Sequence, residues 1–359
     1  MGRSFTIAVI QGIPLKVHWS FSLLILFVIY TGFADGLNLQ RSLVFAAYIL
    51  VLFTCVVLHE YGHALAAKRY KVNTKDIILS PIGGIARLEK LPEKPIEEFV
   101  IAIAGPLVNV VIAIILSAII LTTSDFTLLP QVEDITEVNT FSDFGRYIVI
   151  LNIVLFIFNL IPAFPMDGGR ILRALLAMRI GRRRATNIAS VIGRILAVGF
   201  IGFAIYTDQI TLALIGVFIF SSAGAEAKYT NTYAILEELA AIDVMKTQFT
   251  KLHLSDIFAM PIDLRRRNIE SNFLIFDSLG YISGSLPEAY VAEAEKRKLE
   301  DQPVTSMMSP KIEYVSPNSS VKDIFEIMNT KGLGIVAVGD INKLLGVIDR
   351  NTIRNLLAS

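Results

Sequence analysis

Long apolar runs alternate with short polar clusters through the first part of the chain, and that pattern stops near residue 224. Six runs stand out, at about 18–33, 42–66, 99–122, 146–163, 187–206 and 210–224. Several are near the ~20 residues an α-helix needs to cross the hydrocarbon of a bilayer, and the last is the shortest. An amphipathic lead, Ser4 to Lys16, precedes the first run, and no small-residue cleavage site follows it, so a cleaved signal peptide is not expected. The pattern predicts about six membrane-spanning helices followed by a mixed, charged tail.

Composition agrees with a membrane setting. The chain of 359 residues is 53% hydrophobic and 18% charged, with a mean hydropathy of +0.59, outside the range of an ordinary soluble domain. A net charge of +1 gives no reason to expect a nucleic-acid partner. The single cysteine, Cys55, excludes an internal disulfide framework; one helical turn before His59, it suits a small buried hydrophobe.

Charge between the runs sets an orientation. Lys68, Arg69, Lys71, Lys75, Arg87, Lys90 and Lys94 follow the second run, and Arg170, Arg173, Arg179 and Arg182 to Arg184 follow the fourth, so both connections are expected in the cytoplasm. The connection between the third and fourth runs carries Asp125, Glu133, Asp134, Glu137 and Asp143, with Arg146 only at its end, and is expected outside. Six crossings then place both termini in the cytoplasm of a multi-pass membrane protein. His18 and Trp19 at the start of the first run suit the membrane interface, and His253 a surface.

Within the second run stands His59-Glu60-Tyr61-Gly62-His63. Residues four apart share a helix face, so His59 and His63 can offer imidazole nitrogens to one metal, with Glu60 beside it as a base. Ionisable groups at membrane depth are costly and mark function. An open zinc site needs a third protein ligand, and Asp167 is the best candidate, where Pro162, Pro165, Gly168 and Gly169 break the helix at the end of the fourth run. Its alternative role is to cap the following helix.

HEYGH in the second run, Gly105-Pro106-Leu107-Val108-Asn109 in the third and NLIPAFPMDGGR at 159–170 together resemble the site-2 protease family of intramembrane zinc metalloproteases, over about residues 8–224. The resemblance implies one zinc per chain held by His59, His63 and Asp167, with Glu60 as catalytic base. It implies roles in substrate engagement or site support for Asn109 and Asn159. It also implies a short N-terminal membrane-associated sheet, for which Phe5 to Ile10, Ile13 to His18 and Ile77 to Leu88, interrupted by Gly83-Gly84, are β-prone material. A transmembrane substrate must unwind before it is cut, and the stretch from Pro81 to Arg87 is expected to present it by strand addition or to be a plain hairpin.

After an expected helical linker (225–242), residues 243–359 contain two half-related units. Asp243-Val244-Met245 and Val304-Thr305-Ser306-Met307-Met308 open them, and Gly280-Tyr281-Ile282-Ser283 and Gly346-Val347-Ile348-Asp349 lead a later strand in each. This resembles a tandem CBS-domain pair, an α/β module that often binds adenine nucleotides, with a degenerate first unit. Leu286 and Thr352 stand where an acidic ribose contact is expected, which leaves a weak nucleotide site and a purely structural or dimerising pair both open.

The expected protein is thus a polytopic α-helical membrane endopeptidase (1–224) with a cytoplasmic α/β CBS pair, acting on transmembrane proteins in the bilayer. The alternative is a CBS-gated transporter or channel using HExxH as an ion site. It calls for charged residues on several spans or an inverted repeat, and the sequence has neither.

Overall fold

The computed structural model describes residues 4–34, 39–81, 83–89, 92, 94–123 and 140–358. The chain divides into two compact units, residues 1–228 and 229–359.

The first unit opens with a β-hairpin, β1 (Ser4–Ile10) and β2 (Ile13–His18), closed by Gln11 and Gly12. Both turn residues have positive φ, the two-residue turn whose twist matches that of the strands. Two helices follow, α1 (Phe21–Ala34) and α2 (Leu39–Arg69), then β3 (Thr74–Ser80) and β4 (Gly83–Leu88). The sheet runs β1-β2-β3-β4, with β2 parallel to β3 across the helical crossover and β4 at a free edge. Ile13, Leu15, Ile77 and Leu79 pack with Phe53, Tyr61 and Ala64 of α2, so the sheet lies against the helix that carries the histidines.

The remaining helices are α3 (Pro95–Thr123), α4 (Phe141–Asn159), α5 (Asp167–Ile180), α6 (Arg182–Tyr206) and α7 (Ile210–Glu238). Five described helices, α2, α3, α4, α6 and α7, are long and apolar enough to span a bilayer. The first apolar run instead forms the 14-residue α1, about 21 Å long at 1.5 Å per residue and short of a ~30 Å core. Exposed Ile114, Ile115, Ile195 and Ile205 on these spans present the apolar surface that lipid requires. Of the acidic connection expected outside, Asp125, Glu133, Asp134 and Glu137 lie outside the described residues. Asp143 belongs to the first turn of α4, where it is buried and pairs with Arg146 at 2.7 Å.

The stretch read as a linker continues α7 without interruption to Glu238, because 225–238 contains neither proline nor glycine to stop it. The second unit contains α8 (Ala241–Val244), β5 (Lys251–His253), α9 (Ala259–Arg266), β6 (Phe273–Phe276), β7 (Ile282–Leu286) and α10 (Glu288–Lys296). It continues with β8 (Tyr314–Val315), α11 (Val321–Lys331), β9 (Ile335–Gly339), β10 (Leu344–Asp349) and α12 (Arg350–Ala358). Two three-stranded sheets, β5-β6-β7 and β10-β9-β8, share a core of Leu274, Phe276, Ile335, Ala337 and Val347. Each half lends its opening segment to the other: Lys246 bridges Val347, and Ser309 bridges Ser285.

That interlock corrects the internal alignment of the two halves. Gly280 sits in a turn with φ +87°, and the counterpart of Gly346 is Gly284 inside β7. A Cβ on Gly284 would meet Met308 and Ser309, and one on Gly346 would meet Met245 and Lys246. The position matching Thr352 is therefore Tyr290. Leu286 is a fully buried core residue.

Candidate metal centre

The histidines owe their placement to the helical repeat of α2, one turn apart on a face turned into the protein. Asp167 arrives from far along the chain. After α4 ends, the segment 160–166 turns back, and Asp167 becomes the first residue of α5. The helix is capped by Met166 without a side-chain hydrogen bond, so the capping alternative for Asp167 is not the geometry adopted. Its carboxylate instead meets the histidines: His59 Nε2, His63 Nε2 and Asp167 Oδ2 are mutually 3.1 Å apart. All three residues are buried, each 5–6% exposed.

The hydrogen bonds behind the rings fix their protons. A carbonyl only accepts, so His63 Nδ1, 2.7 Å from Ile101 O, must carry its proton there. For His59 the same conclusion passes through two amides. Asn152 donates to Ile148 O at 2.9 Å, which turns its Oδ1 toward Asn109 Nδ2, also at 2.9 Å. Asn109 Oδ1 is then left to accept from His59 Nδ1 at 2.6 Å. Both Nε2 atoms consequently present lone pairs toward each other and toward a carboxylate oxygen.

Three converging lone pairs in a buried space repel unless a cation sits among them. Neighbouring ligands of a tetrahedral zinc with bonds near 2.0–2.1 Å lie roughly 3.3 Å apart, close to the spacing here. Two imidazoles and a carboxylate are a zinc-type donor set, and a ring N–H donated outward to carbonyl or amide oxygen is the usual support of such ligands. The residues fit the ion. Among the described residues, this is the one group of His, Cys, Asp or Glu so arranged.

Gly105 on α3 makes the room. A Cβ there would collide with His63 Nε2 and come within 2.8 Å of His59 Nε2. Pro106, lacking an N–H, also opens one rung of α3 at this level.

Glu60 stands apart from the three donor atoms, its Oε2 accepting from the backbone N–H of Ala86 in β4 at 2.9 Å. Asn109 is bonded to the site as described. Asn159 donates to Leu155 O within its own helix at 3.0 Å and is not linked to the donor atoms by any hydrogen bond among the described residues.

Two participants escaped the sequence reading. Asn152 is fully buried and completes the relay to His59, but one asparagine in an apolar run carries no motif. Arg173 is bound by Glu98 at 2.6 Å and by Glu226, and its guanidinium lies 5.0 Å from the ring centre of Phe164. It thereby fastens the turn that delivers Asp167. The signal in the sequence is a basic residue two turns into the helix that Asp167 opens, one of several there that also set the orientation.

A buried two-histidine, one-carboxylate centre with a glutamate beside it, set among membrane-spanning helices, defines a membrane-embedded metallopeptidase. Residues 47–200 match the model of peptidase family M50, and residues 304–359 match that of the CBS domain. A zinc metalloprotease of Methanocaldococcus jannaschii is 37% identical over 246 residues, 68% of this chain and 67% of that one. The solved site-2 protease from the same organism is 36% identical over 63% of this chain and 95% of its own, with a TM-score of 0.48. A hemolysin-like CBS-domain protein of Oenococcus oeni covers 36% of the chain at 18% identity, with a TM-score of 0.32. The chain belongs to peptidase family M50, the site-2 proteases, and carries a C-terminal CBS pair. It is a multi-pass zinc metalloendopeptidase of the membrane, and intramembrane proteolysis is the general function of its family.

Proposed function

We propose that this enzyme cleaves transmembrane segments of other membrane proteins at a single zinc bound by His59, His63 and Asp167, with Glu60 as general base. The observation that carries the reading is the 3.1 Å triangle of buried donor atoms, with both histidine protons committed elsewhere. When bound, zinc supplies a Lewis acid that acidifies water and polarises a peptide carbonyl. Glu60, adjacent to His59 in sequence but outside the triangle, takes the proton from water and passes it to the leaving amine.

A helical substrate hides its peptide bonds in its own hydrogen bonds and has to be drawn out. The free edge of β4 offers a backbone ladder next to Glu60, so an unwound stretch adds as a strand between the sheet and the site. Ala86 N–H is on that edge. A substrate carbonyl that takes this N–H releases Glu60 from it, which frees the base once substrate is in place.

The basic connections after α2 and α4 support an orientation in which α7 returns to the cytoplasm and the C-terminal tail lies there. The CBS pair is then cytoplasmic, suited to regulating proteolysis. Its second half uses the would-be nucleotide position internally: Thr352 donates to Asp349 Oδ1 at 2.7 Å, and Asp349 also pairs with Lys246 at 3.1 Å. That favours a structural or dimerising pair over a tight nucleotide site.

Purified Glu60→Gln protein, incubated with a transmembrane reporter in bilayers, tests the assignment. It should retain one zinc per chain and lose cleavage. Cleavage at the unmutated rate would remove Glu60 from the mechanism, and absence of zinc from the unmutated protein would remove the metal centre.

A further inference from the structure

Arg194 is a charged residue inside the apolar helix α6. Among the described residues it makes no ion pair or hydrogen bond, and its Nε is buried without a partner. The guanidinium is nevertheless held in place. It lies 5.6 Å from the ring centre of Phe220 on α7, and its Nη2 rests where a Cβ on Gly224 would sit 2.9 Å away. Any side chain at 224 would displace it. Glu226, two residues after Gly224, is committed to Arg173.

The surroundings indicate what balances the charge. Val191 and Ile195 beside Arg194 on α6 are 54% and 66% exposed, and Phe220 is 45% exposed, so this face meets lipid. Along α7 the apolar run ends near Gly224, and exposed Lys228 follows one helical turn later on the same face. Lys228 likewise has no ion pair among the described residues. Two cations therefore flank a side-chain-free notch at the edge of the apolar zone, at the depth where phosphates replace acyl chains. A lone arginine at this depth needs a counter-anion, and guanidinium favours planar, multidentate contact with phosphate.

We propose that the α6–α7 notch of Arg194, Gly224 and Lys228 binds the headgroup phosphate of an anionic phospholipid. The lipid's tails lie along Val191, Ile195 and Phe220, and the terminal amines of Arg194 take the phosphate oxygens. The notch is distinct from the metal centre and its assignment does not depend on that centre's chemistry.

The full chain, reconstituted in vesicles of phosphatidylcholine, is probed with spin-labelled phosphatidylglycerol and, separately, spin-labelled phosphatidylcholine. The unmutated protein should immobilise the anionic probe preferentially. Arg194→Met and Lys228→Met should each lower that preference, by about fivefold for one basic residue, while Arg194→Lys keeps most of it. Lys228 is exposed, so its variant tests the site even where Arg194→Met folds poorly. Equal retention of the two probes by the unmutated protein overturns the proposal, as does an unchanged preference in Lys228→Met and Arg194→Met. Displacement of the probe by excess inorganic phosphate at constant ionic strength would mean a free-anion site instead. A fall to single-chain mass in Arg194→Met would mean that a second copy fills the notch.

Discussion

Ala86 and Glu60 are joined by a hydrogen bond in which a strand-edge N–H donates to the carboxylate of the proposed base at 2.9 Å. The same N–H belongs to the edge on which an unwound substrate would pair. The general base and the substrate ladder therefore compete for one donor.

Ala86→Pro deletes that donor at an edge position, where proline is tolerated. Zinc content should be unchanged, and KM for a transmembrane reporter should rise roughly fivefold, the worth of one net hydrogen bond. A variant with unaltered KM and altered zinc content would contradict strand addition at β4.

Asn109 fixes the tautomer of His59, and Asn152 fixes Asn109. Asn109→Leu should weaken zinc binding by about 10–100-fold, the usual cost of losing an outer-shell partner. Asn152→Leu should weaken it less, because Asn109 keeps one orientation in which it still accepts from His59. Competition with a chelator of known affinity measures both, and equal losses would refute the relay order.

Gly105→Ala is a favourable exchange for an α-helix on propensity alone. Here it should abolish zinc retention, since the added methyl collides with the imidazole nitrogens. Metal analysis of the purified variant, with helicity from circular dichroism as control, decides the point. A fully zinc-loaded Gly105→Ala protein would show that the histidines approach the ion from another direction.

Asp76, in the sheet and outside the spans, is held at a pKa of about 2, first by hydrogen bonds from Arg87 (2.5 and 2.6 Å) and then by Lys16 (2.7 Å), against the opposing effect of burial. A depressed carboxylate stabilises the fold above its unfolded value of about 3.9 and loses that contribution as pH falls toward 2. The difference in unfolding free energy between the unmutated protein and Asp76→Asn should be roughly 2 kcal/mol at neutral pH. It should shrink between about pH 4 and pH 2, as read from denaturation in detergent. A difference independent of pH would locate the effect of Asp76 in packing rather than charge.

How much of this was legible in the sequence depends on the range of the interaction. The apolar runs and the i, i+4 histidines are local periodicities, so α2, its buried metal face and the membrane setting could be read directly. The strand stretches around the first two helices were equally local, although β3 begins at Thr74 rather than Ile77 and the Gly83-Gly84 pair expected to interrupt the second stretch opens β4. The tail is less legible: spacing matches Gly280 to Gly346, whereas the interlocked sheets make Gly284 the counterpart of Gly346. Spacing along one chain does not reveal which strand a segment lends itself to.

His59 and His63 owe their common face to helix geometry, with Glu60 beside that face, and no tertiary contact was needed to place them there. Convergence with Asp167 is different. It requires α4 to end, the chain to turn back and α5 to pack against α3, with Arg173 holding the turn from Glu98 and Glu226. The Asn152–Asn109 relay and the space above Gly105 arise only when α2, α3 and α4 are in contact. Such contacts join residues 40 to over 100 positions apart, and hydrogen bonds of that kind leave no periodic trace in the chain that makes them.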